Sequence, residues 1–199
     1  MIAAVLATRN RYKLRELQRL TRGLSVRWLT LKHFPWIPPV HEDGRTFAAN
    51  ARKKALAVAR ATGCVSVADD SGLEVGALGG APGVRSARYA GPGVSDTANN
   101  RKLLRALRGL PPSRRHAQFR CCIAVASSDG HVSTAQGRVR GIIAGRPRGR
   151  TGFGYDPLFV IPRYRRTFAE LGPRVKDRLS HRAQAIRKAR PLILRALQL

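Results

Sequence analysis

A chain of 199 residues with 43% hydrophobic residues is long enough for one domain with a sizeable core, or for two small lobes sharing one, and too apolar for wholesale disorder. Its 38 Lys plus Arg stand against 11 Asp plus Glu, a formal net charge of +27, and 31 of the bases are Arg. No apolar run reaches the roughly 18 residues of a membrane span, no repeat recurs, and Cys64, Cys121 and Cys122 have neither the number of a disulfide framework nor the spacing of a zinc site, so the expectation is a cytoplasmic protein with reduced core cysteines and no membrane partner.

In chain order, IAAVLA (residues 2–7) reads as a short buried strand, too short for a signal segment. After the loop TRN, RYKLRELQRLTRG reads as a helix: Leu14, Leu17 and Leu20 recur at three-residue spacing and Gly23 is a good stop. VRWLTL is a second strand and HFPWIPPVHEDG a proline-rich loop. TFAANARKKALAVARATG is an alanine-rich helix with Thr46 as N-cap and Gly63 as terminator. CVSVA (64–68) is a strand, and LGGAPGVRSARYAGPG a long loop. DTANNRKLLRALRGLPP is a helix with Asp96 as N-cap. QFRCCIAVAS and HVSTAQGRVRGIIA pair around the turn Ser128-Asp129-Gly130. RPRGRTGFGYDPLFVIP is a second long loop, and SHRAQAIRKARPLILRALQL a terminal helix with Pro191 as a candidate kink. Early alternation of strands and helices followed by a hairpin makes the chain α/β with a mixed sheet. No linker marks independent domains, so residues 1–199 are expected to form one.

Four constellations carry chemistry. ATRNRYK places Thr8, Asn10 and Lys13 where a strand enters a helix, whose free N–H groups and positive dipole end can hold phosphate; it lacks the glycines of a Walker loop, and a plain helix cap is the blander reading. Glu42, Asp43, Asp69 and Asp70 are hard oxygen ligands suited to Mg²⁺, which needs only one or two carboxylates besides substrate phosphates. Adjacent aspartates in a strand point opposite ways and are unlikely to share one task, while Asp-Ser-Gly is also ordinary turn chemistry. GFGYDP (152–157) presents Phe153 between two glycines, where stacking on a base would contribute on the order of 1 kcal/mol or more, or else its aromatics pack in the core. Lys176, Ser180, His181 and Arg182 form a cationic polar cluster opening the last helix. Together they describe a site for an anionic, aromatic-bearing, metal-bound ligand, which a nucleoside triphosphate satisfies. The scattered arginines read either as a polyanion-binding surface or as a compositional bias on a solvated one.

In order, TRNRYK, EDGRTFAANARKKA, ADDSGL, GAPGVRSARYAG, GFGYDPLF and SHR resemble the motifs of the inosine/xanthosine triphosphate pyrophosphatase family, the XTP/dITP diphosphatases, over residues 2 to about 190. The resemblance implies an elongated mixed β-sheet flanked by helices, two lobes with a central substrate cleft, a homodimer, a Mg²⁺ requirement, and hydrolysis of dITP, ITP or XTP to the monophosphate and pyrophosphate. By position it implies that Thr8, Arg9, Asn10, Arg11, Tyr12 and Lys13 hold phosphates. Asp70 would be the catalytic acceptor and a metal ligand, with Glu42 and Asp69 supporting the metal and Ser71 touching substrate. Phe153, Gly154, Tyr155, Asp156, Lys176, His181 and Arg182 would bind the nucleotide, mainly its base, with His181 and Arg182 as candidate donors to the purine 6-keto oxygen. Arg9 departs from a position usually small in the family, and could add a phosphate contact or crowd the loop. The competing expectation is a basic nucleic-acid-binding protein without turnover. Against it, adjacent Asp69 and Asp70 would repel a phosphate backbone, so no specific nucleic-acid partner is expected.

Overall fold

The computed structural model describes residues 2–198. Seven strands form one sheet in the order β2-β1-β3-β4-β5-β6-β7: β1 Ala3–Leu6, β2 Arg27–Thr30, β3 Val65–Val75, β4 His116–Ala126, β5 Val132–Ile143, β6 Phe159–Ile161 and β7 Arg166–Thr167. The helices are α1 Arg11–Leu20, α2 Phe47–Thr62, α3 Asp96–Ala106, α4 Phe168–Leu179 and α5 His181–Ala196. The sheet is mixed: β1 runs parallel to β2 and β3, while β6 is antiparallel to β5 and β7. Helices α1 and α2 lie in the connections of the parallel part, and short turns join β4 to β5 and β6 to β7.

The residues fall into two compact units. One takes the chain up to Asp70, Cys121–Gly137, and the chain from Arg182 on; the other takes Ser71–Arg120 and Arg138–His181. In the first unit, Ala4, Leu6, Val67, Cys121, Ile123 and Val125 from the strands meet Leu17 of α1 and Ala185, Ile186, Ala189 and Ile193 of α5. The period of two along the strands and the four-residue recurrence along α5 are what place these residues on facing surfaces. Pro191 lies on the exposed side of α5, and the helix continues past it to Ala196. In the second unit, Leu73 and Val75 pack with Leu103, Leu107, Phe119, Ile143, Phe159 and Phe168. Phe159 stacks on Phe168 with centroids 5.6 Å apart and meets Phe119 at 4.5 Å with the rings tilted by 42°.

Caps agree with the sequence at α2, while α1 ends at Leu20 with Thr21 as its C-cap, short of the expected stop Gly23. Asn10 accepts from the N–H groups of Tyr12 and Lys13, Thr46 accepts from Ala49, and Gly63 ends α2 at φ +68°. At α3 the cap is Ser95, not Asp96, which becomes the first helical residue and is freed for another contact. The expected strand 64–68 runs on to Val75, so both acids lie inside it; the local turn chemistry of Asp-Ser-Gly yields to charged partners from distant segments. β6 lies within the expected loop 146–162. No element is expected over 163–179, yet β7 and α4 occupy it: Thr167 and Glu170 form a reciprocal capping box, and Gly172, at φ +76°, breaks α4 into two short helical pieces just before Pro173.

At Gly141 of β5, an added Cβ would lie 2.5 Å from the Val160 carbonyl oxygen and 2.6 Å from the Phe159 ring. Neither backbone nor a core aromatic can give way cheaply. Gly141→Ala is therefore expected to lower unfolding free energy by about 1–3 kcal/mol, the usual cost of overpacking, measured by urea denaturation; an unchanged midpoint would contradict the close approach.

Candidate active site

In the first unit the two acids meet different partners. Arg182 donates from Nε (3.1 Å) and Nη2 (2.9 Å) to Asp69 Oδ2, and from Nη1 to Glu16. Lys13 Nζ lies 3.3 Å from Asp69 Oδ2 and 3.9 Å from Asp70 Oδ1. Asp70 Oδ2 accepts from Asn50 Nδ2 at 3.0 Å, and its Oδ1 faces Lys54 Nζ at 3.7 Å. The carboxyls respond in opposite directions. Burial alone would raise Asp69, but Lys13 and Arg182 outweigh it and hold that carboxyl well below the usual range. Burial raises Asp70 above its ordinary value, with Glu42 adding to the effect against Lys13 and Lys54. Neighbouring acids pushed apart by their surroundings are the pattern of groups with different tasks. Although burial opposes its charge, Asp69 and Asp70 keep Lys13 firmly protonated.

The strand-to-helix turn is built more tightly than its sequence shows. Asn10 Oδ1 takes the N–H groups of Tyr12 (2.9 Å) and Lys13 (3.1 Å), so the helix end is capped by its own side chain. Asn10 N donates to Thr8 Oγ1 at 3.3 Å. The Arg9 guanidinium donates to the Ile37 carbonyl and braces the proline-rich loop. Arg11 lies over the exposed Tyr12 ring at 5.0 Å.

Glu42 and Asp70 converge on one cation. Lys54 Nζ sits 3.0 Å from Glu42 Oε1 and 3.7 Å from Asp70 Oδ1. Among the described residues no three His, Cys, Asp or Glu side chains form a ready metal cage. Mg²⁺ does not need one, since it keeps several waters and takes few protein carboxylates, so this donor set fits it.

In the second unit the segment 152–156 is folded around Asp156. Its Oδ2 accepts from Phe153 N at 2.9 Å and from the Lys176 ammonium, and a Cβ on Gly152 would lie 2.1 Å from that oxygen. Lys176 Nζ stands 4.5 Å from the centroid of the half-buried Phe153 ring. Helix α3 grips Gly154 on both sides: its N–H donates to Asp96 Oδ2 at 2.6 Å and its carbonyl accepts from Asn100 Nδ2 at 3.0 Å. Tyr155 belongs to the core, its hydroxyl donating to the Ser86 carbonyl at 2.9 Å. Burial raises its pKa above the ordinary value, so the hydroxyl stays protonated at neutral pH. His181 is buried with its ring stacked on Phe119 at 4.8 Å.

The structure thus brings together Lys13, Glu42, Asp69, Asp70 and Arg182 in the first unit, and Phe153, Gly154, Tyr155, Asp156 and Lys176 in the second, where Ser71 follows in β3 and His181 lies against Phe119. Sequence reading passed over Glu16, Asn50, Lys54, Asp96 and Asn100. Asn50 and Lys54 carried a signal: four residues apart, they share the face of α2 that also holds Ala51 and Ala55.

A family model described as the Ham1 family matches residues 4–192. A dITP/XTP pyrophosphatase of Desulforamulus reducens is 51% identical over 191 residues, covering 96% of this chain and 95% of the relative. One from Geobacter sulfurreducens is 50% identical over 186 residues, covering 94% of each. Among solved structures, a HAM1 protein from Coxiella burnetii superposes with a TM-score of 0.89 at 41% identity, over 98% of this chain and 100% of its own. A nucleoside-triphosphatase / dITP/XTP pyrophosphatase from Mycobacterium abscessus gives 0.78 at 42% identity, over 96% and 100%.

Arg182 is 1% exposed and neutralises two buried carboxylates. Arg182→Met should cost about 3–5 kcal/mol of stability, because it removes the buried cation that both acids share. Adding Glu16→Gln should recover part of that loss in denaturant melts. A loss below about 1 kcal/mol, the worth of a surface pair, would mean that the network is solvated.

Proposed function

The chain belongs to the Ham1 family, and from that premise we propose that it hydrolyses deaminated purine nucleoside triphosphates (dITP, ITP and XTP) to the monophosphate and pyrophosphate. The observation that carries the reading is the unequal acid pair, Asp69 held ionised by Arg182 and Lys13 beside Asp70 with its carboxyl raised.

Attack of water on the α-phosphorus needs a base for the water proton, positive charge for the phosphate oxygens, and a hold on the departing pyrophosphate. Asp70 is assigned the base. Asn50 holds its Oδ2, and its Oδ1 faces the two lysines. Lys13, with Thr8, Arg9, Asn10, Arg11 and Tyr12, is assigned the triphosphate. Lys13 and Arg11 supply charge, while Arg9 acts by holding the loop through Ile37. A divalent cation, Mg²⁺ in this reading, would be held by Glu42 and Asp70 with Asp69 behind them, and would supply charge neutralisation of the phosphates. Ser71 follows the base directly and is assigned a substrate contact.

The purine is assigned to Phe153, Gly154, Tyr155, Asp156, Lys176, His181 and Arg182. Phe153 offers a ring face to a base, and the Asp156–Lys176 pair a polar edge beside it. Gly154 and Tyr155 shape that segment through their clamped backbone and core packing. Arg182, committed to Asp69 and Glu16, reaches substrate recognition through Asp69. A keto group at purine position 6 accepts where an amino group donates, so a donor fixed by such a network discriminates against adenine. Residues 1–199 act as one catalytic domain in this reading, and the protein works as a cytoplasmic homodimer. No helix among the described residues is long and apolar enough to cross a membrane.

The decisive test is pyrophosphate release from ITP, XTP, ATP and GTP in parallel with Mg²⁺. ITP and XTP should turn over far faster, and a chelator should abolish release until Mg²⁺ is restored. Equal rates on all four, or orthophosphate as the product, would defeat the reading. Asp70→Asn should lower turnover at least about 10²-fold with the fold retained, the scale of a general-base contribution; near-normal turnover would remove Asp70 from the chemistry.

A further inference from the structure

Nothing in nucleotide hydrolysis requires a net charge of +27, and one part of the surface concentrates that charge in a fixed arrangement. The hairpin of β6 and β7 turns through the short helical turn Pro162–Tyr164, with Val160 paired to Thr167 and Ile161 to Arg166. Arg163, Arg165 and Arg166 are exposed on it, and Tyr164 between them is 39% exposed. The loop carrying Arg146, Arg148 and Arg150 is tied to this hairpin. Thr167 Oγ1 donates to the Arg148 carbonyl at 2.9 Å, Arg148 Nη2 donates to the Arg165 carbonyl at 3.4 Å, and Arg148 N donates to the Pro157 carbonyl at 2.9 Å. Gly149, at φ +84°, packs so closely on Ala169 that a Cβ would lie 2.3 Å from its carbonyl carbon. Six arginines are thereby gathered on one anchored feature. Among the described residues, Glu170 is the one carboxylate that pairs with any of them, 3.4 Å from Arg148 Nε.

Two details separate this patch from a diffuse basic surface. Arg165 occupies the left-handed backbone region at φ +51°, which favours glycine, so the tip carries a guanidinium where a smaller residue fits the backbone better. The Arg163 guanidinium lies 5.9 Å from the Tyr164 ring centroid, an exposed aromatic inside the charge cluster. Guanidinium groups bind phosphates in a bidentate fork, and an exposed ring stacks on an unpaired base. The tip has no Leu, Phe or Trp for insertion into lipid, as an anionic membrane site would want.

We propose that the β6–β7 tip and the loop 146–150 form a sequence-independent binding surface for single-stranded nucleic acid, separate from the residues assigned to nucleotide hydrolysis. Arg146, Arg150, Arg163, Arg165 and Arg166 contact the phosphates, and Tyr164 stacks on a base. The test is fluorescence anisotropy of the full chain with a labelled mixed-sequence single-stranded oligonucleotide across a salt series. The patch variant combines Arg146→Gln, Arg163→Gln and Arg165→Gly; the control combines Arg27→Gln, Arg52→Gln and Arg60→Gln, three exposed arginines of the first unit. Both remove three charges.

The patch variant should reduce the slope of log affinity against log salt by about 2, at roughly 0.7 per lost phosphate contact, while the control leaves it unchanged. Tyr164→Ala should weaken single-strand binding about fivefold or more and leave duplex binding alone. Melting temperature and nucleoside triphosphate turnover should stay as in the parent, since Arg165→Gly suits the backbone there. Equal losses in patch and control would make the charge diffuse and overturn the proposal. So would tighter binding to anionic phospholipid vesicles than to the oligonucleotide, or a patch variant whose only change is a higher KM for nucleotide.

Discussion

The first unit depends on one buried guanidinium. Arg182 at the start of α5 reaches Asp69 on β3 and Glu16 on α1, partners 113 and 166 residues away in sequence. Taking these charges out of water is costly, and only mutual pairing with good hydrogen bonds offsets it. The network therefore tolerates little displacement of the three elements that carry it. It also sets the electrostatics of what lies beside it: Asp69 is held ionised and already shared between Arg182 and Lys13, which leaves Asp70 as the more adaptable carboxylate. The inequality of two adjacent aspartates comes from their different partners, Arg182 with Lys13 for Asp69 and Asn50 with two lysines for Asp70.

That dependence explains what could be read from sequence and what could not. Local signals worked where local physics decides: Thr46 and Gly63 cap α2 as expected, and Asn10 fills the plain cap role that stood as the blander reading of its loop. They failed where tertiary partners override them. Asp-Ser-Gly has the composition of a turn, yet β3 continues through it because Arg182, Lys13 and Asn50 meet the acids there. α4 was obscured by Gly172-Pro173, although the Thr167–Glu170 capping box was present to mark its start. Among the site residues, the motif order named Lys13, Asp69, Asp70 and Phe153. It gave no hint that the Tyr155 ring is core or that Arg182 is spoken for by two acids, since both facts are contacts with distant residues.

The second unit solves a different problem with the same means. A segment with glycines at 152 and 154, both at positive φ, would wander if packing alone held it. Polar bonds fix it instead: Asp156 draws in the Phe153 amide and Lys176, while Asp96 and Asn100 take both polar groups of Gly154. Asp96 can do this only because Ser95 has taken over the cap of α3. A one-residue shift in capping thus bears on how Phe153 is presented.

In a chain with 38 bases and 11 acids, the acids are the informative residues: Asp69, Asp70, Asp96 and Asp156 each hold a cation or a backbone amide in place. Their local balance constrains the chemistry further. Around Asp70, Glu42 and Asp69 alternate with Lys13 and Lys54, and Arg182 ties Asp69 to Glu16. The long-range field of the protein favours an arriving polyanion, while the carboxylates at this spot share the cations beside them. Electrostatic attraction and proton acceptance are therefore served by different residues. The arginine-rich surface can vary in strength without altering the state of Asp70, so long as Arg182, Lys13 and Asn50 keep their places.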